Sequence, residues 1–305
     1  MNPGKTSILF IINPISGRKT KDLIVAGITR QFDVKDFACS IVETTHRGNA
    51  TELAEQHLDS MDIIVAVGGD GTINEIAKVL TGTKVALGII PAGSGNGFAR
   101  HFKIPLSFRK AIELIKTGCR IKADVGLVND APFFCTSGIG IDAETGHYFD
   151  QLDNRGLLSY AKSLSNLFFN YRPQKYKLLA DGEEHRFMAY SIVVANISQY
   201  GYNFKIAPGA SIVDGLLDVV VIREFPRLMV PIVAARSYFG TIDRSRYIWH
   251  KQVSTLRIEP AEGRNMIHKD GEPESVEGVL NYTVRPGVLN VIIDKEIRDK
   301  NDDYS

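Results

Sequence analysis

The sequence predicts an α/β N-terminal domain with a doubly wound, mostly parallel sheet, joined to a mainly antiparallel β C-terminal domain, a sandwich or barrel. Three observations predict it. The 305 residues allow two domains of about 150 residues each. Up to residue 125, short apolar runs alternate with helix patterns, the rhythm of parallel α/β layers. Beyond Asp124 strand follows strand, punctuated by turn pairs such as Asp181-Gly182 and Pro286-Gly287. The expected domains are 1–125 and 126–294, with residues from about 295 to 305 returning to the first.

The elements follow in order. Residues 7–12 are an apolar run that stops at Asn13-Pro14, a turn signal. A helix pattern occupies 22–32 and a β-rich run 37–44. Asn49-x-x-Glu52 reads as a capped helix start, with Leu53, Ala54, His57 and Leu58 on one face. Residues 63–67 and 85–90 are continuous apolar runs of the kind buried in parallel sheets. Between them Thr72-x-x-Glu75 is a capping box opening a helix through Ile76 and Leu80. Ser107 caps a further helix, which Gly118 stops. In the second half, strands are expected at 133–141, 177–181, 185–196, 216–223, 255–260, 266–269, 279–285 and 288–294. Helix-like insertions fall near 157–170 and 227–239, and a polar tail begins at Asp299.

Composition excludes several classes. The chain is 44% hydrophobic and 23% charged, which suits a globular fold and not a disordered chain. Its net charge of +1 argues against a nucleic-acid partner. The longest apolar stretch, 228–235, is far short of the roughly 20 residues of a membrane span. The apolar run at 8–12 is too short for a signal peptide. Three scattered cysteines without a CxxC read as reduced, mostly buried thiols of a cytoplasmic protein.

The chemistry concentrates in three loops. Gly68-Gly69-Asp70-Gly71-Thr72 joins a buried strand to a helix start. Glycines let the backbone turn tightly and approach a ligand, and a helix start offers N–H groups and positive dipole; together they suit a polyphosphate. Asp70 makes sense there if it reaches Mg²⁺ or a hydroxyl donor; the plainer alternative is a βα turn that needs glycine. Pro91-Ala92-Gly93-Ser94-Gly95-Asn96-Gly97 and Asn13-Pro14-Ile15-Ser16-Gly17 are two further candidates. All three fall at carboxyl ends of sheet strands, where open α/β sheets bind ligands. No GxxxxGK[ST] and no HRD or DFG set occurs, which excludes P-loop enzymes and protein kinases. Gly138-x-Gly140-x-x-Ala143 fits a relaxed dinucleotide fingerprint but lies among strands, and reads as tight packing or a bulge.

GGDGT continued by Ile73-Asn74-Glu75, the PAGSGNGFAR run at 91–100, Asn13-Pro14-x-Ser16-Gly17 and Asp270-Gly271-Glu272-Pro273 together resemble the diacylglycerol kinase catalytic-domain family, which includes bacterial soluble lipid kinases and the sphingosine and ceramide kinases. The resemblance spans nearly the whole chain. It implies an NAD-kinase/phosphofructokinase-like α/β domain that binds ATP, followed by a lipid-binding β-sandwich. It places ATP at Asn13, Pro14, Ser16, Gly17, Thr44, Gly68, Gly69, Asp70, Gly71, Thr72, Asn74 and Glu75, and at Gly93, Ser94 and Asn96. Ser211, Asp214 and Leu216 match the family's structural Mg²⁺ loop, and Asp124 an acidic position near the nucleotide Mg²⁺. Asp270 and Glu272 match the region of the catalytic base, with Asp70 the next candidate. Two positions depart from the pattern: Gly97 where many members carry Asp, and Lys269 where an aliphatic residue is common.

The resemblance thus implies an ATP- and Mg²⁺-dependent kinase that phosphorylates a lipid hydroxyl, most simply that of diacylglycerol, in a cleft between the domains. A sphingoid-base or ceramide kinase shares every loop; an NAD kinase shares GGDGT; a non-enzymatic lipid-binding relative is the rival from another class. Asp270-Gly271-Glu272 reads as a tight turn after the 266–269 strand; strand-like alternation puts Asp270 and Glu272 on one side as a repelling pair, and the plainer alternative is a solvent-exposed hairpin turn. Peripheral contact with anionic membrane is expected of two basic segments, 158–177 and 223–251, each with a net +4. A homodimer is left open.

Overall fold

The computed structural model describes residues 4–16, 21–32, 35–144, 171–201, 203–260 and 264–300. Gly17, the 157–170 insertion, most of the basic segment 158–177 and the end of the polar tail lie outside them. Contacts divide the chain into two compact units, one of residues 1–124 with 286–305 and one of 125–285. The return to the first unit begins at Pro286, where the sequence placed it near 295.

In the first unit, strands β1 (Thr6–Ile12), β2 (Phe37–Glu43), β3 (Ile63–Gly68) and β4 (Ala86–Pro91) lie in the order β2-β1-β3-β4. Every pairing is parallel. β3 and β4 are buried along their whole length, which is why their sequences are unbroken apolar runs. Helices α1 (Lys21–Gln31), α2 (Asn49–His57), α3 (Asp70–Leu80), α4 (Gly97–His101) and α5 (Phe108–Thr117) connect the strands. α5 turns Ala111, Ile112, Leu114 and Ile115 inward. Gly118 ends it with extended backbone, φ −66°, not in the left-handed form of a glycine cap. Its glycine is required for space instead: an added Cβ would sit 2.6 Å from both the Leu114 and Ile293 carbonyl oxygens.

Two expected caps are built differently. α2 carries Gly48 at its N-cap with no side-chain cap bond, and Asn49 is already helical. The N–H groups of Gly48 and Ala50 are taken by the Glu75 carboxylate, at 3.0 and 3.1 Å. α3 begins at Asp70, two residues ahead of the expected Thr72 cap. Glu75 therefore caps a neighbouring helix, not its own.

The second unit is antiparallel throughout. β5 (Cys119–Val128) leads into it and pairs with β6 (Ala131–Phe133). β9 (Glu183–Ala195) is shared: its first half pairs with β8 (Gln174–Ala180), its second lies between β7 (Thr136–Gly140) and β12 (Leu217–Arg223). β10 (Gln199–Gly201) and β11 (Phe204–Lys205) form a separate ribbon. β13 (Ile248–Val253) flanks β12, β14 (Thr255–Glu259) flanks β8, and β15 (Arg264–Lys269) joins β7 to β16 (Glu272–Glu277). The result is the β-sandwich, with Phe133, Tyr176, Ile192, Val219, Leu256 and Tyr282 in one core. Asp181-Gly182 is the expected tight hairpin, both residues at positive φ, 46° and 85°. Gly140, φ 107°, would place a Cβ 2.4 Å from the Tyr190 carbonyl oxygen, so the Gly138–Gly140 stretch marks packing.

Two strand expectations change. The run 133–141 is broken at residues 134 and 135, because their N–H groups turn to a carboxylate described below. Pro286-Gly287 does not separate two strands; Leu280–Ile293 is one strand, β17, and its end pairs parallel with β4. Helix α6 (Val230–Tyr238) occupies the second expected insertion, and α7 (Lys295–Lys300) closes the described chain. Cys39 is exposed, against the expectation of buried thiols, and none of the three cysteines forms a disulfide among the described residues.

Candidate active site

Three loops leave adjacent strands at the same level. Ile12 pairs with Val67, and Gly68 with Pro91, so the chain exits β1, β3 and β4 side by side. Backbone bonds lock the exits together: Asn13 N–H donates to the Val67 carbonyl at 2.9 Å, Ala92 N–H to that of Gly68 at 2.8 Å, and Thr44 N–H to that of Ile12 at 2.9 Å. Asn13 Nδ2 donates to Thr72 Oγ1 at 3.2 Å. Gly69 and Gly93 touch through their backbones: a Cβ on Gly93 would lie 2.5 Å from Gly69 Cα. Asn96 sits buried in the left-handed region, φ 51°. Its amide binds Gly93 twice, accepting from the Gly93 N–H at 3.1 Å and donating to the Gly93 carbonyl at 2.8 Å.

The expected ATP positions thus separate into two groups. Asn13, Thr44, Gly68, Gly69, Thr72, Glu75, Gly93 and Asn96 hold the frame. Gly71 and Ser94 are exposed, and nothing lies within 4 Å of a Cβ built on Gly71. Pro14, Ser16 and Asn74 are half-buried. The N-cap residue of α3, Gly69, supplies no side-chain cap; the Asp70 carboxylate takes Asp70's own N–H, and the dipole of the helix start favours an anion near Gly71 and Thr72.

Asp70 points at the start of α4. Its Oδ1 accepts the Phe98 N–H at 3.4 Å, with the N–H groups of Gly97 and Asn96 also near. Burial pushes its pKa above the usual carboxylate range, and those N–H groups oppose the rise. Asp124 is buried, 2% exposed, and its Oδ1 accepts the Gly287 N–H at 2.7 Å. Among the described residues no group of three or more His, Cys, Asp or Glu gathers as a metal site. The donor set still fits Mg²⁺, which takes hard oxygens and commonly uses one or two carboxylates beside substrate phosphates. In the expected Mg²⁺ loop, Asp214 is exposed; Oδ1 accepts the Leu216 N–H at 3.0 Å and Oδ2 the Gln252 amide at 3.2 Å. Ser211 and Leu216 sit half-buried on either side of it.

The expected carboxylate pair does not share a side. Asp270-Gly271 is itself the hairpin turn, at φ 51° and 85°, with Lys269 paired to Glu272 across it. Positive φ at both residues breaks the strand alternation on which the expectation rested. Asp270 turns inward. Its Oδ2 accepts the Phe134 N–H at 2.9 Å, and Oδ1 those of Cys135 at 2.6 Å and Thr136 at 3.1 Å. Burial raises its pKa against the pull of these three bonds. Glu272 is exposed. Lys269 pairs with Glu274 at 2.7 Å.

One polar cluster was not anticipated. Asp142 accepts Ser191 Oγ at 2.6 Å and Tyr200 OH at 3.3 Å, and meets His268 Nε2 at 3.0 Å. His268 is 3% exposed and its Nδ1 has no partner among the described residues. Its members are scattered over four segments, and the one sequence signal was the position of His268, two before Asp270.

Comparison with known proteins decides the family. Residues 7–128 match the model of the diacylglycerol kinase catalytic domain, and 136–293 that of the YegS C-terminal NAD kinase beta sandwich-like domain. The chain belongs to the diacylglycerol kinase family. It is 31% identical over 275 residues to a diacylglycerol kinase of Mycobacterium tuberculosis, covering 84% of each chain. It is 29% identical over 270 residues to the diacylglycerol kinase of Bacillus subtilis, covering 86% of this chain and 88% of that one. A crystal structure of a diacylglycerol kinase from Bacillus anthracis shares the fold, with a TM-score of 0.74 at 21% identity over 97% of this chain and 100% of that chain. The enzyme is therefore a lipid kinase. No described helix is long and apolar enough to cross a membrane.

Proposed function

We propose that this lipid kinase transfers the γ-phosphoryl group of ATP to the free hydroxyl of diacylglycerol, giving phosphatidic acid. One observation supports the reading above others: three glycine-bearing loops leave neighbouring parallel strands at one level, beside a helix start whose N-cap residue is a glycine. Phosphoryl transfer needs positioning and charge stabilisation more than covalent help. Exposed Gly71 and Ser94 are where phosphate oxygens would meet backbone N–H and hydroxyl donors. Asp70 and Asp124 would hold the nucleotide's Mg²⁺, and Asp214 with the Ser211 and Leu216 carbonyls a structural one. Bound at the nucleotide, Mg²⁺ supplies neutralisation of phosphate charge.

Glu272 is the proposed base. Asp270 spends both oxygens on backbone N–H groups, so it fixes the hairpin that presents Glu272. The lipid hydroxyl gives its proton to the Glu272 carboxylate while its oxygen bonds to the γ-phosphorus. The bond from that phosphorus to the β–γ bridging oxygen breaks, and ADP leaves. The two named kinases from Mycobacterium and Bacillus make diacylglycerol the acceptor to test first. Purified protein with labelled ATP and Mg²⁺ would be offered diacylglycerol, sphingosine, ceramide and NAD. Label in phosphatidic acid is the expected result; label only in another acceptor, or in none, rejects the assignment.

A further inference from the structure

We infer that the outer face of α6 and the turn before it lie flat on an anionic lipid bilayer. The face is built for an apolar, negatively charged surface. Leu228 and Phe239 are 89% and 74% exposed, and Ile232 and Tyr238 are about half exposed. With Ala235, the first three recur at i, i+4, i+7 and i+11, a single stripe along the helix. Monomeric proteins rarely leave such a stripe bare without a partner.

The opposite face packs on the protein. Met229, Val230 and Val233 pack on Ile141, Tyr190 and Phe225. Ser237 Oγ donates to the Lys205 carbonyl at 2.9 Å, and Asn203 Nδ2 to that of Tyr238 at 3.3 Å. The helix is thus held rigidly, stripe outward.

Charge selects the occupant. Arg227 and Arg236 border the stripe on its two sides, and no acid occurs between Glu224 and Asp243. A second copy docking by two-fold symmetry would set these arginines against each other. An anionic bilayer takes the apolar stripe into its acyl boundary and the arginines to its headgroups. The basic composition of 223–251 had suggested an electrostatic contact; the structure adds the apolar stripe that makes the contact an insertion.

The choice of partner rests on the lipid-kinase reading, and the experiment separates the two. Full-length protein would be sedimented with phosphatidylglycerol-containing and pure phosphatidylcholine vesicles at low and high salt. Wild type should prefer the anionic vesicles. L228E/F239E should lose about 30-fold or more in binding, because two apolar side chains no longer leave water. R227Q/R236Q should lose about fivefold per charge, with a weaker salt dependence. L228E/F239E should keep the wild-type melting temperature and phosphorylate detergent-dispersed lipid at the wild-type rate, while failing on lipid held in vesicles. Equal vesicle binding by L228E/F239E and wild type overturns the inference. So does a wild-type dimer in sedimentation velocity that L228E/F239E splits. Loss of vesicle binding in that variant supports the inference whichever acceptor the enzyme phosphorylates, and absence of lipid turnover by wild type rejects the kinase reading alone.

Discussion

Replacing Gly93 by alanine tests whether the loop frame sets the nucleotide site. The added Cβ would come 2.5 Å from Gly69 Cα and 3.0 Å from Asn96 Oδ1. Ordinary carbon contact is about 3.5–4.0 Å, so the two loops must part by about 1 Å. The neighbour at 2.5 Å is backbone, and no rotamer change relieves it. Overpacking of this kind costs about 1–3 kcal/mol, which lowers the melting temperature by roughly 2–4 °C per kcal/mol for units of this size. A displacement of about 1 Å at a positioning element can also cost about 10²-fold in rate. The expected result for G93A is therefore a lower melting temperature and kcat/KM for ATP reduced by about 10²-fold, measured on detergent-dispersed lipid.

Gly71 is the control. Nothing lies within 4 Å of its built Cβ. It sits in the first turn of α3, where alanine is favoured over glycine by up to about 1 kcal/mol. G71A should hold or raise the melting temperature yet increase KM for ATP, because its methyl group occupies the space a phosphate would approach. If G93A lowers the melting temperature and leaves ATP kinetics untouched, the loops are scaffolding and the nucleotide binds elsewhere. If G93A leaves the melting temperature unchanged, the contact itself is wrong.

Three further outcomes follow from individual carboxylates. D270N leaves at least one of three buried N–H groups without an acceptor and should cost about 1–3 kcal/mol in thermal unfolding, whereas E272Q should melt as wild type and lose about 10²-fold or more in kcat; near wild-type turnover by E272Q would remove Glu272 as the base. D214N should lower the melting temperature and abolish its dependence on added Mg²⁺; identical curves with and without chelator, in wild type, would rule out metal at that loop. His250 is bonded to buried Asp218 at 2.5 Å, and that bond raises its pKa above the usual value. The stability it contributes is complete below the unfolded value of about 6.5 and is lost as pH rises through the higher folded value. The melting-temperature gap between wild type and H250Q should be widest near pH 5.5 to 6 and shrink in alkali; a gap that grows with pH would contradict the pairing.

What the sequence made legible was local. Residues 63–67 and 85–90 read as buried parallel strands because burial on both faces leaves an unbroken apolar run. Asp181-Gly182 read as a hairpin because that dipeptide tolerates positive φ at both positions. The failures are places where a distant group decides. Glu75 carries a capping-box spacing, but α2 lies close enough to take its carboxylate. The run 133–141 reads as one strand, yet three of its N–H groups are claimed from 134 or more positions away. β16 has the sequence EPESVE and forms only because β15 supplies its ladder. Asp270-Gly271 carries the same hairpin signal as Asp181-Gly182, and positive φ at both residues overrides the strand-like alternation expected of the catalytic pair.

The carboxylates that the motif reading marked for chemistry share one behaviour that redistributes the roles. Asp70 accepts at Phe98, Glu75 at Gly48 and Ala50, Asp124 at Gly287, Asp214 at Leu216, and Asp270 at three successive residues. Each binds backbone N–H groups outside its own strand or helix ladder, and each thereby fixes a turn. Charge-assisted bonds of this kind are roughly twice as strong as neutral ones, which makes acids effective pins for loops. A pinned carboxylate is poorly suited to accept a proton during a reaction, because protonation would break the bonds that place it. Glu272 is exposed on the strand that follows the turn, and the proposed proton transfer is assigned to it. The sequence motif GGDGT-x-N-E is therefore largely a folded frame, and the proposed phosphate contacts fall to Gly71 and the α3 N-terminus. On this view, amide variants of Asp70 and Glu75 should shift melting temperature and ATP affinity together, whereas the amide variant of Glu272 should shift turnover alone.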